Sequence, residues 1–150
     1  MRSNRSLIWF NTNELPKSAI IKKVILTLRY DLPIPWDLNT FPVATPGSAL
    51  WYGAVLQQVI EPWEEGIVNW NNQPKTTEAN QVFISPFIRN TNVIEIDVTR
   101  LYVNPSASVL PNYGMMFRLF PTDKFPGFRF ASSDFAEPLM RPRLTIAYTL

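Results

Sequence analysis

The sequence predicts an all-β fold, a jelly-roll-like sandwich of two antiparallel sheets, and three observations carry that expectation. Prolines number 14 in 150 residues, about twice the usual ~5%. They fall along the whole chain, and each fixes φ and removes a backbone donor. The longest proline-free runs are 17–32 and 87–104, which leaves little room for a helical bundle. Between the prolines lie short segments in which apolar and polar residues alternate with a period of two, the pattern of a half-buried strand. Hydrophobic residues make up 46% of the chain and charged residues 17%, enough apolar material for a sizeable core. The length suits a single β-sandwich domain over 1–150.

The elements follow in order. Ser6–Phe10 is a short apolar run, long enough for a buried strand. After turn material at 11–18, Val24, Leu26, Leu28 and Tyr30 alternate with Ile25, Thr27 and Arg29, a strand by period. Residues 31–48 form a Pro-rich loop insert holding Pro33, Pro35, Pro42 and Pro46. Such long loops are often functional. Leu50–Ile60 returns to strand character, and 61–74 is a turn-rich segment with Trp63 and Trp70. Gln81–Ile88 and Asn92–Val98 read as two strands. Thr99–Tyr102 reads as one helical turn with Thr99 as its cap. Gly114–Phe120, Gly127–Ala131 and Arg143–Tyr148 complete a series of about eight or nine strands, a spacing typical of sandwiches.

Composition narrows the chemistry. The chain has neither histidine nor cysteine, so histidine bases, Ser–His–Asp triads, thiol nucleophiles, zinc–thiolate sites and disulfides are excluded. A formal charge of +2, with Lys22–Lys23 the one adjacent basic pair, offers no basic tract for nucleic acid. No apolar run is long enough to insert in a membrane as a helix. No enzyme activity, cofactor or metal is expected. Glycoside hydrolysis needs two facing carboxyls, one with a raised pKa. Glu95 and Asp97 share a strand face, while Glu64 and Glu65 point apart, and nothing separates an acid from a nucleophile. For calcium, Asp31, Asp37, Asp97, Asp123 and Asp134 are too scattered to converge.

Several segments together resemble the DNRLRE-type domain, a β-sandwich similar to a family of carbohydrate-binding modules. They are Arg5–Phe10 followed by Leu15-Pro16 and Ala19–Ile21; Trp63–Pro74, against the family's W-x-E-G-x-T-W-N-N-x-P; Ile96–Thr99, against I-D-V-T; and Phe130–Ser133 with Arg141–Tyr148. The likeness spans about residues 5–148. Asn69 stands where the family has threonine, and Tyr102 takes the place of a tryptophan. The resemblance makes Trp70, Asn71, Pro74, Asp97 and Thr99 structural motif residues. The family also carries some tens of residues before the Arg5 strand. A sandwich lacking that early strand is expected to leave an unpaired edge and a strip of core, to be covered by the Pro-rich segment or by a neighbouring subunit.

Candidate contact residues each carry two readings. Trp63 is either a stacking platform for a sugar or an indole packed into a corner with its N–H paired. The second reading is the heavier. Trp36 and Phe41 sit in the insert and either meet a glycan or partner, or staple the loop onto the sandwich. Phe125, Phe128 and Phe135 serve either a neighbour or the core. Arg141 and Arg143, spaced by two and so expected on one side, either grip an acidic polysaccharide or form a solvated face. The function expected is that of a non-catalytic structural or adhesive subunit of an extracellular or virion surface assembly, with a sheet edge completed by a neighbouring subunit. The alternative is a carbohydrate-binding module that recognises a polysaccharide. Expected partners are further copies of the chain or other assembly subunits. With Met1 as native start a phage structural protein fits; otherwise a bacterial cell-surface protein does.

Overall fold

The computed structural model describes residues 5–30, 53–84, 92–103, 111–120 and 129–150. Within them lie seven strands: β1 (Arg5–Ile8), β2 (Ile20–Arg29), β3 (Gly53–Val59), β4 (Thr76–Ile84), β5 (Val93–Asp97), β6 (Met115–Phe120) and β7 (Arg143–Thr149). They form two antiparallel sheets, one in the order β1-β6-β3-β4 and one in the order β5-β2-β7. The fold is the all-β sandwich expected from the prolines and the period-two pattern. One short helix, α1 (Thr99–Tyr102), and a 3-10 turn at Pro138–Met140 complete the described elements.

The alternation in β2 decides its two faces. Val24, Leu26 and Leu28 are buried, and their cross-strand partners Ile94, Ile96, Leu144 and Ile146 point the same way. From the facing sheet, Ala54 and Leu56 of β3, Ile84 of β4, and Met115 and Phe117 of β6 close the core. The apolar face is held in phase near the start of β2 by one extra residue. The register jumps between Ile21 and Lys23, so Ile21 still sits opposite Tyr148 while Val24 sits opposite Ile146.

The middle of the four-stranded sheet is buried on both sides. Val55, Gln57 and Val59 of β3 and Met116 of β6 point away from the core yet are buried. Gln57, 2% exposed, is a buried amide. Its Nε2 donates to Gln81 Oε1 (2.7 Å) and its Oε1 accepts from Thr76 Oγ1 (2.8 Å). Those two partners flank a register shift in β4, where Asn80 takes a left-handed φ of 59°. Asparagine tolerates that conformation better than most residues.

Strand boundaries differ from the expected ones where long-range partners intervene. β1 ends at Ile8, and Trp9 lies outside it, 52% exposed. The segment Gly127–Ala131, expected as a strand, shows a single bridge between Phe130 and Tyr30 in its described part. Thr99 does not cap α1. Val98 occupies the cap position, and the Thr99 hydroxyl is taken up elsewhere, accepting from Val24 N (2.9 Å) and donating to Asp97 Oδ1 (2.6 Å).

Candidate contact surfaces

A cleft of about 650 Å³ opens between β1 and residues 129–142. Its floor is the core itself, formed by Ile8, Phe10, Leu28, Phe117, Phe130 and Ala131. Phe130 packs on Tyr30 (centroids 4.8 Å apart) and stands edge-on to Phe117 (5.6 Å). The rim is polar and aromatic: Trp9, Trp63, Glu65, Arg129, Ser132, Ser133, Asp134 and Arg141.

Both rim indoles are anchored by their N–H groups. Trp9 Nε1 donates to the Asn112 carbonyl (3.0 Å), and half-buried Trp63 Nε1 donates to the next carbonyl, that of Tyr113 (2.8 Å). The Asn112 amide reaches back to Phe10 O (3.1 Å) and Thr12 Oγ1 (3.2 Å), tying the continuation of β1 to the same segment. Two large rings are thus bonded to two consecutive carbonyls, those of residues 112 and 113, and the next residue is Gly114 with φ of +85°. On the far rim, Arg141 Nε donates to Phe135 O (2.8 Å), which folds 135–141 into a closed loop. Away from the cleft, Lys75 Nζ forms an ion pair with Glu61 Oε1 (2.8 Å). The Lys75 ammonium and amide hold the Glu61 carboxyl below its usual pKa.

The sequence-expected residues divide between the surfaces. Trp63 and Arg141 both line the cleft. Arg143 does not join them. It lies on β7 opposite Thr27, on the solvent face, because the 3-10 turn and the Phe135 contact turn Arg141 to the cleft instead. Trp36, Phe41, Phe125 and Phe128 lie outside the described residues. Trp70 is 55% exposed and stacks with the Arg5 guanidinium (4.8 Å to the ring), while Arg5 Nη1 also donates to Gln73 Oε1 (2.6 Å). Asn71 N donates to Asn69 Oδ1 (2.9 Å) and Pro74 is buried, so both belong to the scaffold of the 61–74 loop. Asp97 Oδ1 accepts from Thr99 Oγ1 and from Thr99 N (3.0 Å), and these bonds hold its carboxyl below the usual carboxylate range. That shift is opposite to what a general acid needs. Among the described residues no group of three or more carboxylates is placed to hold a metal. Trp9 and Asn112 were not among the contact residues expected from sequence.

The second surface is the free side of β7. Among the described residues β7 pairs with β2 alone, and its core-facing residues Leu144 and Ile146 are only half-buried. Tyr148, on the same face, is 43% exposed. The chain was compared with family models, curated proteins and solved structures, and nothing matches it in any of the three.

Proposed function

We propose that this is a non-catalytic structural or adhesive β-sandwich subunit of an extracellular or virion surface assembly, with one sheet edge completed by a neighbouring subunit. The observation that carries the reading is the contrast among the four edges of the two sheets formed by the described strands. Natural edges are guarded by shortness, charge, proline or bulges, because an open edge templates pairing with another chain. β1 has four residues and begins with Arg5, which is clamped by Trp70 and Gln73. β4 carries Glu78 and a register break. β5 has five residues, two of them the acids Glu95 and Asp97. β7 has seven residues, one charge at its very start, no proline, and no irregularity of its own. Its inner face is also left half-covered. The surface location rests on the likeness to DNRLRE-type domains.

The experiment is sedimentation of the purified chain from micromolar to submillimolar concentration. The expected outcome is reversible association to a dimer or larger species. A single monomeric species throughout overturns the reading. A second reading, recognition of a polysaccharide, is favoured by one observation: Trp9 and Trp63, each with its N–H bonded to backbone, line the same cleft as Arg141. It takes over if the chain stays monomeric and a titration with polysaccharide quenches tryptophan fluorescence.

A further inference from the structure

We infer that β7 pairs antiparallel with β7 of a second copy about a two-fold axis through Ile146, fusing the two three-stranded sheets into one. The inference rests on the reading above and names the edge, the partner and the register.

Three features of β7 select this arrangement. The first is parity. Leu144, Ile146 and Tyr148 face the core, and Arg143, Thr145, Ala147 and Thr149 face solvent. Directly opposed residues of an antiparallel pair point to the same side. An axis through Ile146 therefore sets Leu144 against Tyr148 of the partner subunit, apolar on apolar. It also sets Thr145 against Ala147 of the partner subunit. One inner face then runs unbroken across both copies, and the half-covered Leu144, Ile146 and Tyr148 of each copy gain apolar neighbours.

The second feature is length. Ile146 is the middle residue of the strand Arg143–Thr149, so this axis matches every residue of β7. An axis at any other residue leaves ladder groups unmatched. The third is charge. Arg143 is the one ionised side chain of β7, and the antiparallel register places it against Thr149 of the partner subunit. A parallel, in-register pair would set it against Arg143 of the partner subunit, and like charges directly opposite are unfavourable. The pairing is isologous and closes at two copies, as most homo-oligomers do.

The test uses Thr145 and Ala147, both on the exposed face and outside the core. Thr145→Lys with Ala147→Lys sets like charges opposite each other twice across the axis. Thr145→Lys with Ala147→Glu sets opposite charges there twice. Sedimentation equilibrium reads the dimer dissociation constant, and thermal melts confirm the fold. Lys23, the in-chain neighbour of Ala147, shifts the melt independently of concentration and so does not mimic the effect. The Lys/Lys variant should weaken the dimer about tenfold or more. The Lys/Glu variant should associate at least as well as the parent, with an advantage that fades as salt rises. If the parent associates and the Lys/Lys variant does so equally, copies meet elsewhere, and this inference falls while the reading above stands. If the Lys/Glu variant is as disruptive as Lys/Lys, the antiparallel register falls. A monomeric parent overturns both.

Discussion

Replacing Gly114 with alanine tests the junction on which β1, β6 and both cleft tryptophans depend. Gly114 has φ of +85°, and a Cβ there would overlap Ile8 O and lie 3.1 Å from Ile8 C and from Trp9 Cα. The left-handed conformation alone costs a non-glycine residue ~1–2 kcal/mol. The overlap is with backbone rather than with a flexible side-chain tip, so relief requires β1 to move off β6, where Ile8 is paired with Met115. Overpacking of that kind adds ~1–3 kcal/mol. The sum is about 2–5 kcal/mol. Gly66 supplies the control. Its φ is +83°, yet a Cβ there meets nothing within 4 Å. Gly66→Ala therefore carries the conformational strain without the overlap, offset in part by ~0.4–1 kcal/mol of lost unfolded-state freedom. With a urea slope of ~2 kcal/mol/M, the two midpoints should differ by about 1 M, Gly114→Ala being the lower. Coincident midpoints, or a Gly114→Ala chain as stable as the parent, would refute the argument that the close approach of residues 8–9 to residue 114 is what demands glycine.

Two further outcomes follow from single side chains, one half-buried and one exposed. The Tyr102 hydroxyl is buried with no hydrogen-bond partner, and burial pushes its pKa up to about 12. Tyr102→Phe should therefore raise stability at neutral pH by ~1 kcal/mol in a urea titration. Tyr30 is likewise pushed up to about 12 by burial. A folded pKa above the unfolded one gives stability that is complete below the unfolded value of 10.0 and is lost as pH rises toward 12, so Tyr102→Phe should also soften the alkaline decline. A destabilised Tyr102→Phe chain would show that the hydroxyl is satisfied after all. On the acid side the sign reverses for Asp97, whose pKa is lowered first by the Thr99 hydroxyl and then by the Thr99 amide. Its contribution is present above the unfolded value of 3.8 and is lost as pH falls through the folded value. Asp97→Asn should lower the melting temperature at neutral pH and flatten its fall below about pH 4. Parallel melting curves for parent and variant across that range would contradict it.

What the sequence disclosed and what it hid divide along one physical line. Local periodicity reports which face of a strand is buried, so the alternation of Val24, Leu26 and Leu28 was legible, as was the apolar run that became β7. Periodicity carries no information about lateral neighbours. That β7 stands at an edge, and β3 at the centre with both faces buried, emerges only from pairing over long sequence distances. The same limit explains Trp9. It sits in an apolar run that reads as a strand, yet its N–H partner lies 103 residues away in the chain. Thr99 has a local capping signature, but a partner 75 residues away claims its hydroxyl. The pairing of Arg141 with Arg143 failed because a spacing of two implies one face only where the backbone is a continuous strand, and β7 begins at Arg143. That Trp63 and Arg141 line one cleft had no local signal at all, since the two lie far apart in the chain.

The cleft and the β7 edge are mechanically separable, and that separation gives the two readings of function independent handles. The cleft wall is anchored at residues 112–114, where two indole N–H groups, the Asn112 amide and the backbone of Gly114 converge on the end of β1. A change there disturbs the tryptophan platform and the four-stranded sheet together, so loss of a cleft ligand in a Gly114 variant cannot be told apart from loss of β1. Thr145 and Ala147 touch none of those anchors. They lie on the solvent face of the other sheet, with Ile25 and Lys23 as their strand neighbours. Effects of sites without shared partners add. A charge pair on β7 that abolishes association while Trp9 and Trp63 keep their fluorescence therefore assigns assembly to the edge. A ligand that changes that fluorescence without changing the association assigns recognition to the cleft.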